Sequence, residues 1–393
     1  MSIDFSSISD RTHTNSVKWR QYPEGVLPVW VADMDFKAPE PILAALRAKL
    51  EHGVLGYEFP GKDLLGTVAA RMEKLYGWSV DPEAIIPTPG IIAGFNAAAW
   101  AICEPGQGIL TQPPVYPPFL TVAEKVGLVN QLAPLALEEQ AGRLTYRCDL
   151  EVFRKAVHGR NVRTGMFLLC NPHNPTGQAY SRKDLQGMAD ICLEQGVRIV
   201  SDEIHSELLL GETRHIPIAT LSKDIERNTI TLVAPSKTYN VPGLFCGLAI
   251  VPDPGLRAKF QAAADRMIQH VSSLSLIAAQ VAYSGACDDW LKALKVQLTA
   301  NRDWVARTLR ERFPRLACTL PQATYLAWLD CRRLELGGQT PYDFFLERAK
   351  VAFNQGDDFG PGGEGFVRFN FGTSPRILQE VVDRIAAVMP EAG

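Results

Sequence analysis

Thr164-Gly-Met-Phe-Leu-Leu-Cys-Asn-Pro-His-Asn-Pro-Thr-Gly177 is the stretch on which the fold turns. Its first half is an almost wholly apolar run, closed by a turn rich in amides and prolines. A run this apolar reads as a strand covered on both faces, hence one strand of a largely parallel sheet flanked by helices. The same pattern recurs on either side. Gly108-Ile-Leu-Thr111, Val197-Arg-Ile-Val-Ser201, Asn228-Thr-Ile-Thr-Leu-Val-Ala234 and Gly247-Leu-Ala-Ile-Val251 are further candidate strands. Helical stretches are expected over 182–195, 254–285 and 288–313.

Outside this α/β middle the chain changes character. Residues 1–40 are polar and irregular and end in Pro28-Val-Trp-Val-Ala-Asp-Met-Asp-Phe-Lys-Ala-Pro39, which suggests an arm. A helix is expected from about Pro41, with Ile42, Leu43, Leu46 and Leu50 on one face. The 288–313 helix carries Trp290, Leu294, Leu298, Trp304 and Leu309, stops before Pro314, and is long enough to bridge two lobes. Beyond it, strands at 325–329 and 366–370 alternate with helices from Tyr342 and Pro375. The expected division is an arm over 1–40 packing with the small domain, a large domain over 41–287 and a small C-terminal α/β domain over 288–393.

Composition narrows the classes of function. The chain has 393 residues, 46% of them hydrophobic, which is ample for a large core. Forty Lys and Arg against 43 Asp and Glu leave a net charge of −3, without the footprint of a nucleic-acid or membrane-surface binder. The eight cysteines form no C-x-x-C pair and are expected to be free thiols in a reducing compartment. The first residues lack a basic start followed by an apolar run, and no apolar stretch approaches a membrane span, so a cytoplasmic location is the expectation. There is neither a zinc-spaced His/Cys cluster nor a Gly-x-Ser-x-Gly elbow, and no metal is expected.

Open α/β sheets bind ligands beyond the carboxyl ends of their strands. Three segments fall there: Asn171-Pro-His-Asn-Pro-Thr-Gly177, Asp202-Glu-Ile-His205 and Pro235-Ser-Lys-Thr-Tyr-Asn240. An amide turn, a carboxylate and a lysine are thereby set along one sheet edge. A fourth segment, Thr88-Pro-Gly-Ile-Ile-Ala-Gly94, leads into a helix, where backbone N–H groups can face an anion. Singly, each has an ordinary reading as a turn, a cap or a surface lysine. Their order and shared edge give them weight together.

In that order the residues resemble the fold-type I pyridoxal-phosphate enzymes of the aminotransferase class I/II superfamily. Thr14-Asn-Ser-Val-Lys-Trp19, Trp30-Val-Ala-Asp-Met-Asp-Phe36 and Ala234-Pro-Ser-Lys-Thr-Tyr-Asn240 look more narrowly like the MalY/PatB-type cystathionine β-lyases, or C–S lyases. The resemblance implies a large domain with a mostly parallel seven-stranded sheet flanked by helices, a smaller α/β C-terminal domain, and pyridoxal 5'-phosphate as cofactor. Lys237 would carry the cofactor as a Schiff base and act as base at the substrate α-carbon. Asp202 would pair with the pyridine nitrogen, Asn174 would bond the cofactor's phenolic oxygen, and Tyr116 would stack on the ring. The amides of Ile91 and Ile92, with Ser236, would hold the phosphate. Tyr57 would reach that phosphate from a neighbouring subunit, making the site complete only in a homodimer. Arg368 would grip the substrate carboxylate, near Asn174 and the backbone of Ala32.

Some positions depart from the superfamily pattern. Phe245 stands eight residues after the lysine, where many members have a phosphate-binding arginine. Ala234 replaces a serine three residues before it. His205 takes the place of a common tyrosine, as in the lyase subgroup; it would either touch the cofactor or orient Asp202. Arg20 stands where such lyases usually have Asp. Tyr325 could line the site, although core packing is the plainer expectation. The implied reaction is β-elimination on a small amino-acid substrate, cystathionine or a related S-substituted cysteine, giving thiol, pyruvate and ammonia. An aminotransferase is the alternative, and a regulatory binding protein is the alternative of another class.

Overall fold

The computed structural model describes residues 4–159, 161–267 and 270–389. Fifteen strands follow in chain order. The first eight are β1 (Leu27–Pro28), β2 (Ile85–Thr88), β3 (Gly108–Thr111), β4 (Val129–Leu132), β5 (Ala136–Gln140), β6 (Arg143–Arg147), β7 (Thr164–Cys170) and β8 (Arg198–Asp202). The others are β9 (Thr229–Val233), β10 (Gly247–Ile250), β11 (Ala317–Thr319), β12 (Leu326–Asp330), β13 (Val351–Ala352), β14 (Asn354–Gln355) and β15 (Phe366–Asn370).

Seven strands form the central sheet in the order β2-β10-β9-β8-β7-β3-β4. All its pairings are parallel except those of β10, which runs antiparallel to both β2 and β9. The apolar run that opened the sequence is β7, buried at all seven positions. Its even residues Met166, Leu168 and Cys170 enter one cluster with Phe95 and Phe119, while Phe167 and Leu169 enter another with Phe153 and Leu185. Burial on both faces explains why the strand shows no polar alternation. Each fully buried Leu or Phe here contributes about 1.5–3 kcal/mol.

A second sheet runs β14-β15-β12-β11-β6-β5. Of its C-terminal strands, β12 and β15 match the strands expected at 325–329 and 366–370, β11 and β14 are additional, and the β5–β6 hairpin comes from the middle of the chain. β6 pairs parallel with β11, with Arg143 opposite Cys318. The range 41–287 therefore contributes to both sheets. In the arm, β1 pairs with β13, Leu27 opposite Val351.

Helices mostly follow the sequence reading: Glu40–His52, Ile91–Ile102, Arg182–Gln195, Asp288–Arg312 and Pro375–Val388. The single helix expected over 254–285 is two, Pro254–Met267 and Ser273–Tyr283. The second starts in the serine-rich Ser272-Ser273-Leu274-Ser275, residues whose hydroxyls favour helix ends over interiors. The 25-residue helix Asp288–Arg312 buries Trp290, Leu294, Leu298, Val305 and Leu309 in one cluster with Tyr239 of the large sheet's loops and Leu326, Val367 and Phe369 of the smaller sheet. It thus joins the two lobes. No helix among the described residues is long and apolar enough to cross a membrane.

Candidate active site

Register aligns the polar ends of three neighbouring strands. Cys170 lies opposite Asp202, and Asp202 opposite Leu232. The turn after β7, the carboxylate ending β8 and the lysine after β9 therefore stand side by side at one edge of the sheet. Lys237 sits in the short helix Pro235–Thr238, opened by a proline whose missing N–H costs nothing at that position.

The segment Trp30–Phe36 crosses this edge as a strap whose carbonyls are held from several sides. Arg368 Nη2 donates to Trp30 O at 2.8 Å, and Asn370 Nδ2 donates to Val31 O at 2.7 Å and Asp33 O at 2.9 Å. Lys237 Nζ donates to Ala32 O at 2.6 Å, and Tyr325 Oη donates to the same oxygen at 3.0 Å. Asn240 Nδ2 donates to Met34 O and Phe36 O. Below the strap, the Asp35 carboxylate accepts from Lys18, Arg11 and Trp19. That explains the charged and aromatic residues of the 14–19 stretch as anchors of the strap. Arg20 lies outside this network, with Nη1 3.4 Å from Thr12 O.

Arg368 is 2% exposed, yet it faces no carboxylate within ion-pairing distance among the described residues. Its partners are neutral: Asn174 Oδ1 at 3.0 Å, Asn354 Oδ1 at 2.7 Å and the Trp30 carbonyl. Its Nε has no partner, and the guanidinium lies 5.1 Å from the Phe359 ring centroid. Burial pulls its pKa down to about 10. A buried cation left without an anion is a built receptor for a carboxylate.

Asp202 is the reverse case, a buried carboxylate in no salt bridge. Its Oδ1 accepts from the Ile204 N–H at 3.0 Å, and burial raises its pKa to about 7. Such a group suits a ligand that brings its own N–H. Burial first, and then the Arg368 charge, lowers the Lys237 pKa to about 8, so free amine is present near neutral pH.

His205 is buried, its Nδ1 lacks a partner, and burial holds its pKa down at about 3. Its ring meets Tyr325 edge-on, 6.1 Å between centroids, and it makes no hydrogen bond to Asp202, whose Oδ1 accepts from Ile204 N–H. Glu203, pointing the other way, binds Ser201 Oγ and His215 Nε2. His173 is a structural member of its turn, bonded to Thr176 Oγ1 and the Gln112 carbonyl.

Tyr116 donates its N–H to Asn174 O at 3.0 Å and precedes the helix Pro117–Lys125. Gly90, at φ 102°, takes a backbone conformation that L side chains rarely adopt and brings in the helix Ile91–Ile102 without a side-chain cap. Its first-turn N–H groups, those of Ile91 and Ile92, are free for an anion. Ser236 is buried on the short lysine helix. Phe245 is exposed and left-handed at φ 48°, so no cation stands there. Tyr57 is 91% exposed and rests against the His270 ring at 5.0 Å. Among the described residues no cluster of His, Cys, Asp and Glu could hold a metal ion.

The set fits pyridoxal phosphate: a lysine amine, a buried carboxylate without a cation, uncapped amides and an unpaired arginine for the substrate. Sequence reading missed the strap's amide clamps, Asn240 and Asn370, and undervalued Tyr325. Nothing local in the sequence marks them, because their partners are backbone carbonyls over two hundred residues away for Asn240 and Tyr325 and more than three hundred for Asn370.

Cystathionine β-lyase PatB of Bacillus subtilis is 39% identical over 98% of this chain and all of its own length. Among solved structures, the pyridoxal-phosphate-bound C–S lyase of Staphylococcus hominis is 29% identical with a TM-score of 0.91, covering 100% of this chain and 99% of that one. Cystalysin of Treponema denticola, whose structure contains pyridoxal 5'-phosphate, is 28% identical with a TM-score of 0.92 and 99% coverage of both chains. The family described as aminotransferase class I and II matches residues 33–385. By that match, and by a likeness that runs the length of the fold, this chain belongs to the aminotransferase class I and II family.

Proposed function

We propose that this protein is a pyridoxal-phosphate-dependent carbon–sulfur β-lyase that cleaves cystathionine or a related S-substituted cysteine. One observation carries the part of this reading that concerns amino-acid substrates. Arg368 and Lys237 bind carbonyls only two residues apart on one strap, Trp30 O and Ala32 O. A carboxylate that takes the place of Trp30 O on Arg368 brings its α-carbon beside the Lys237 amine. When bound, pyridoxal phosphate supplies an electron-withdrawing ring that accepts the electron pair left at that α-carbon.

The chain's own groups do the rest. Lys237 holds the cofactor and, once displaced by the substrate amine, takes the α-proton on Nζ. With the cofactor bound, Asp202 would keep its ring nitrogen protonated, Asn174, which braces Arg368, would bond its phenolic oxygen, and Tyr116 would pack on its ring. The amides of Ile91 and Ile92, with Ser236, bind the phosphate. His205 stays uncharged beside the cofactor instead of orienting Asp202. At the substrate β-carbon the C–S bond breaks, sulfur leaves with its electron pair and gains a proton, and the three-carbon remainder takes up one water to give pyruvate and ammonia.

Tyr57 acts across a homodimer interface. Its exposure is shared with Val54, Leu55 and Phe59 in one segment, an apolar surface of the kind a partner subunit covers. A cytoplasmic location accords with eight cysteines that are all free thiols. The likeness to PatB and to the C–S lyases favours elimination; the name of the family itself favours the second reading, an aminotransferase using the same residues. Incubation with L-cystathionine separates them. Thiol and pyruvate released without an added keto acid support the lyase, and stoichiometric amino transfer to a keto acid with no thiol released overturns it.

A further inference from the structure

Two donors from opposite lobes meet on one oxygen. Lys237 Nζ reaches Ala32 O at 2.6 Å from the large-sheet side, and Tyr325 Oη reaches it at 3.0 Å from the residue before β12. Tyr325 is 1% exposed. Its ring is set by His205, edge-on at 78°, and by Gly372, where an added Cβ would lie 3.2 Å from Tyr325 Cδ2. The arrangement is built, and its obvious duty would be to hold the strap. That duty is already filled by Arg368 on Trp30, Asn370 on Val31 and Asp33, Lys18 on Asp33, and Asn240 on Met34 and Phe36. The place of Ala32 does not hang on the phenol.

A carbonyl oxygen has two lone pairs. With one engaged by Tyr325, Ala32 O is a weaker acceptor for the second donor. Without the phenol, its whole pull falls on Lys237, and a carbonyl that binds an ammonium well keeps it an ammonium. We propose that Tyr325 is a positioning residue for Lys237: by occupying one lone pair of the Ala32 carbonyl it loosens that carbonyl's grip on the ammonium and so delivers Lys237 as a free amine. The inference rests on the reading of Lys237 as the cofactor-bearing amine. Burial pushes the phenol's own pKa far up, so it remains a donor throughout the working range.

The charged groups that face Lys237 are Arg368 on β15, Asp202 ending β8 and Asp33 of the strap, with His205 uncharged in the turn after β8. Tyr325→Phe alters none of them and keeps the ring.

The test uses the cofactor-free full-length chain, labelled with acetic anhydride over a range of pH, with the Lys237 peptide quantified by mass spectrometry. Tyr325→Phe is expected to move the labelling midpoint upward by about half to one pH unit, slowing labelling at neutral pH about three- to tenfold. Tyr146→Phe, which deletes another buried hydroxyl that accepts from Trp328 Nε1, is expected to leave the midpoint in place. Replacing Tyr325 by 3-fluorotyrosine, a stronger donor of nearly the same size, is expected to move it downward, and this arm decides alone if the Phe variant does not fold. A folded Phe variant whose midpoint matches the wild type, or an unmoved fluorotyrosine midpoint, overturns the proposal, as does a Tyr146→Phe shift of equal size. If the chain releases no thiol yet shows these shifts, the lyase reading falls and this inference stands.

Discussion

The Arg368 guanidinium donates to the Trp30 carbonyl at 2.8 Å, so the residue we propose to grip a substrate carboxylate is held by the strap through a single replaceable bond. Its other partners, Asn174 and Asn354, hold it in plane for a two-point contact. Lysine is a point charge and cannot reproduce that fork. Arg368→Lys is expected to lower kcat/KM by about 10- to 100-fold, mainly through KM, because the carboxylate is bound alike in ground and transition states. Steady-state kinetics with L-cystathionine check this, and an unchanged KM refutes the assignment.

Asp202 makes a prediction about stability in the cofactor-free protein. Its folded pKa, about 7, lies above the ordinary carboxylate value of 3.8. The folded state thus holds its proton over that window more tightly than the unfolded chain, and stability falls as pH rises from about 4 to 7. Asp202→Asn removes the cost of the buried charge. The variant is expected to be the more stable protein at pH 8, by about 2–4 kcal/mol, with the gap closing below pH 4. Urea unfolding at the two pH values measures it. The same variant, when loaded with cofactor, should lose most of its turnover.

Lys237→Ala should abolish both the visible absorbance of bound cofactor and thiol release. Turnover retained at a near wild-type rate would rule out its role as the Schiff-base lysine.

Tyr57 is tested by mixing subunits. Lys237→Ala and Tyr57→Ala chains, each impaired alone at limiting cofactor, should recover about a quarter of wild-type activity when mixed equally, because half the dimers then contain one complete site. No recovery means that Tyr57 serves its own subunit.

Much of this architecture was legible in the sequence because it is written locally. β7 declares its two-sided burial in one apolar run, Asn171–Gly177 follows it directly, Asp202 ends β8, and Lys237 lies a few residues past β9. What stayed hidden depends on contacts remote along the chain. Tyr325 reads as core because an aromatic before a strand ordinarily is; only the fold carries Ala32 to its hydroxyl. Asn240 and Asn370 bind carbonyls, which any residue could supply, so no side-chain pattern betrays them. The division of 254–285 was hidden for another reason: no proline or glycine stands between Gly255 and Gly285 to mark it, and serine is only a weak helix breaker.

The β5–β6 hairpin carries a consequence for biosynthesis. Arg143 waits for Cys318, a strand partner made about 175 residues later, which at ordinary translation rates is on the order of ten seconds or more. During that interval the alternating Leu144 and Tyr146 side chains, buried in the finished molecule, have no β11 and no Trp328 to cover them. The nascent chain therefore still carries an uncovered hairpin after its larger sheet is complete, and chaperone dependence should centre on it.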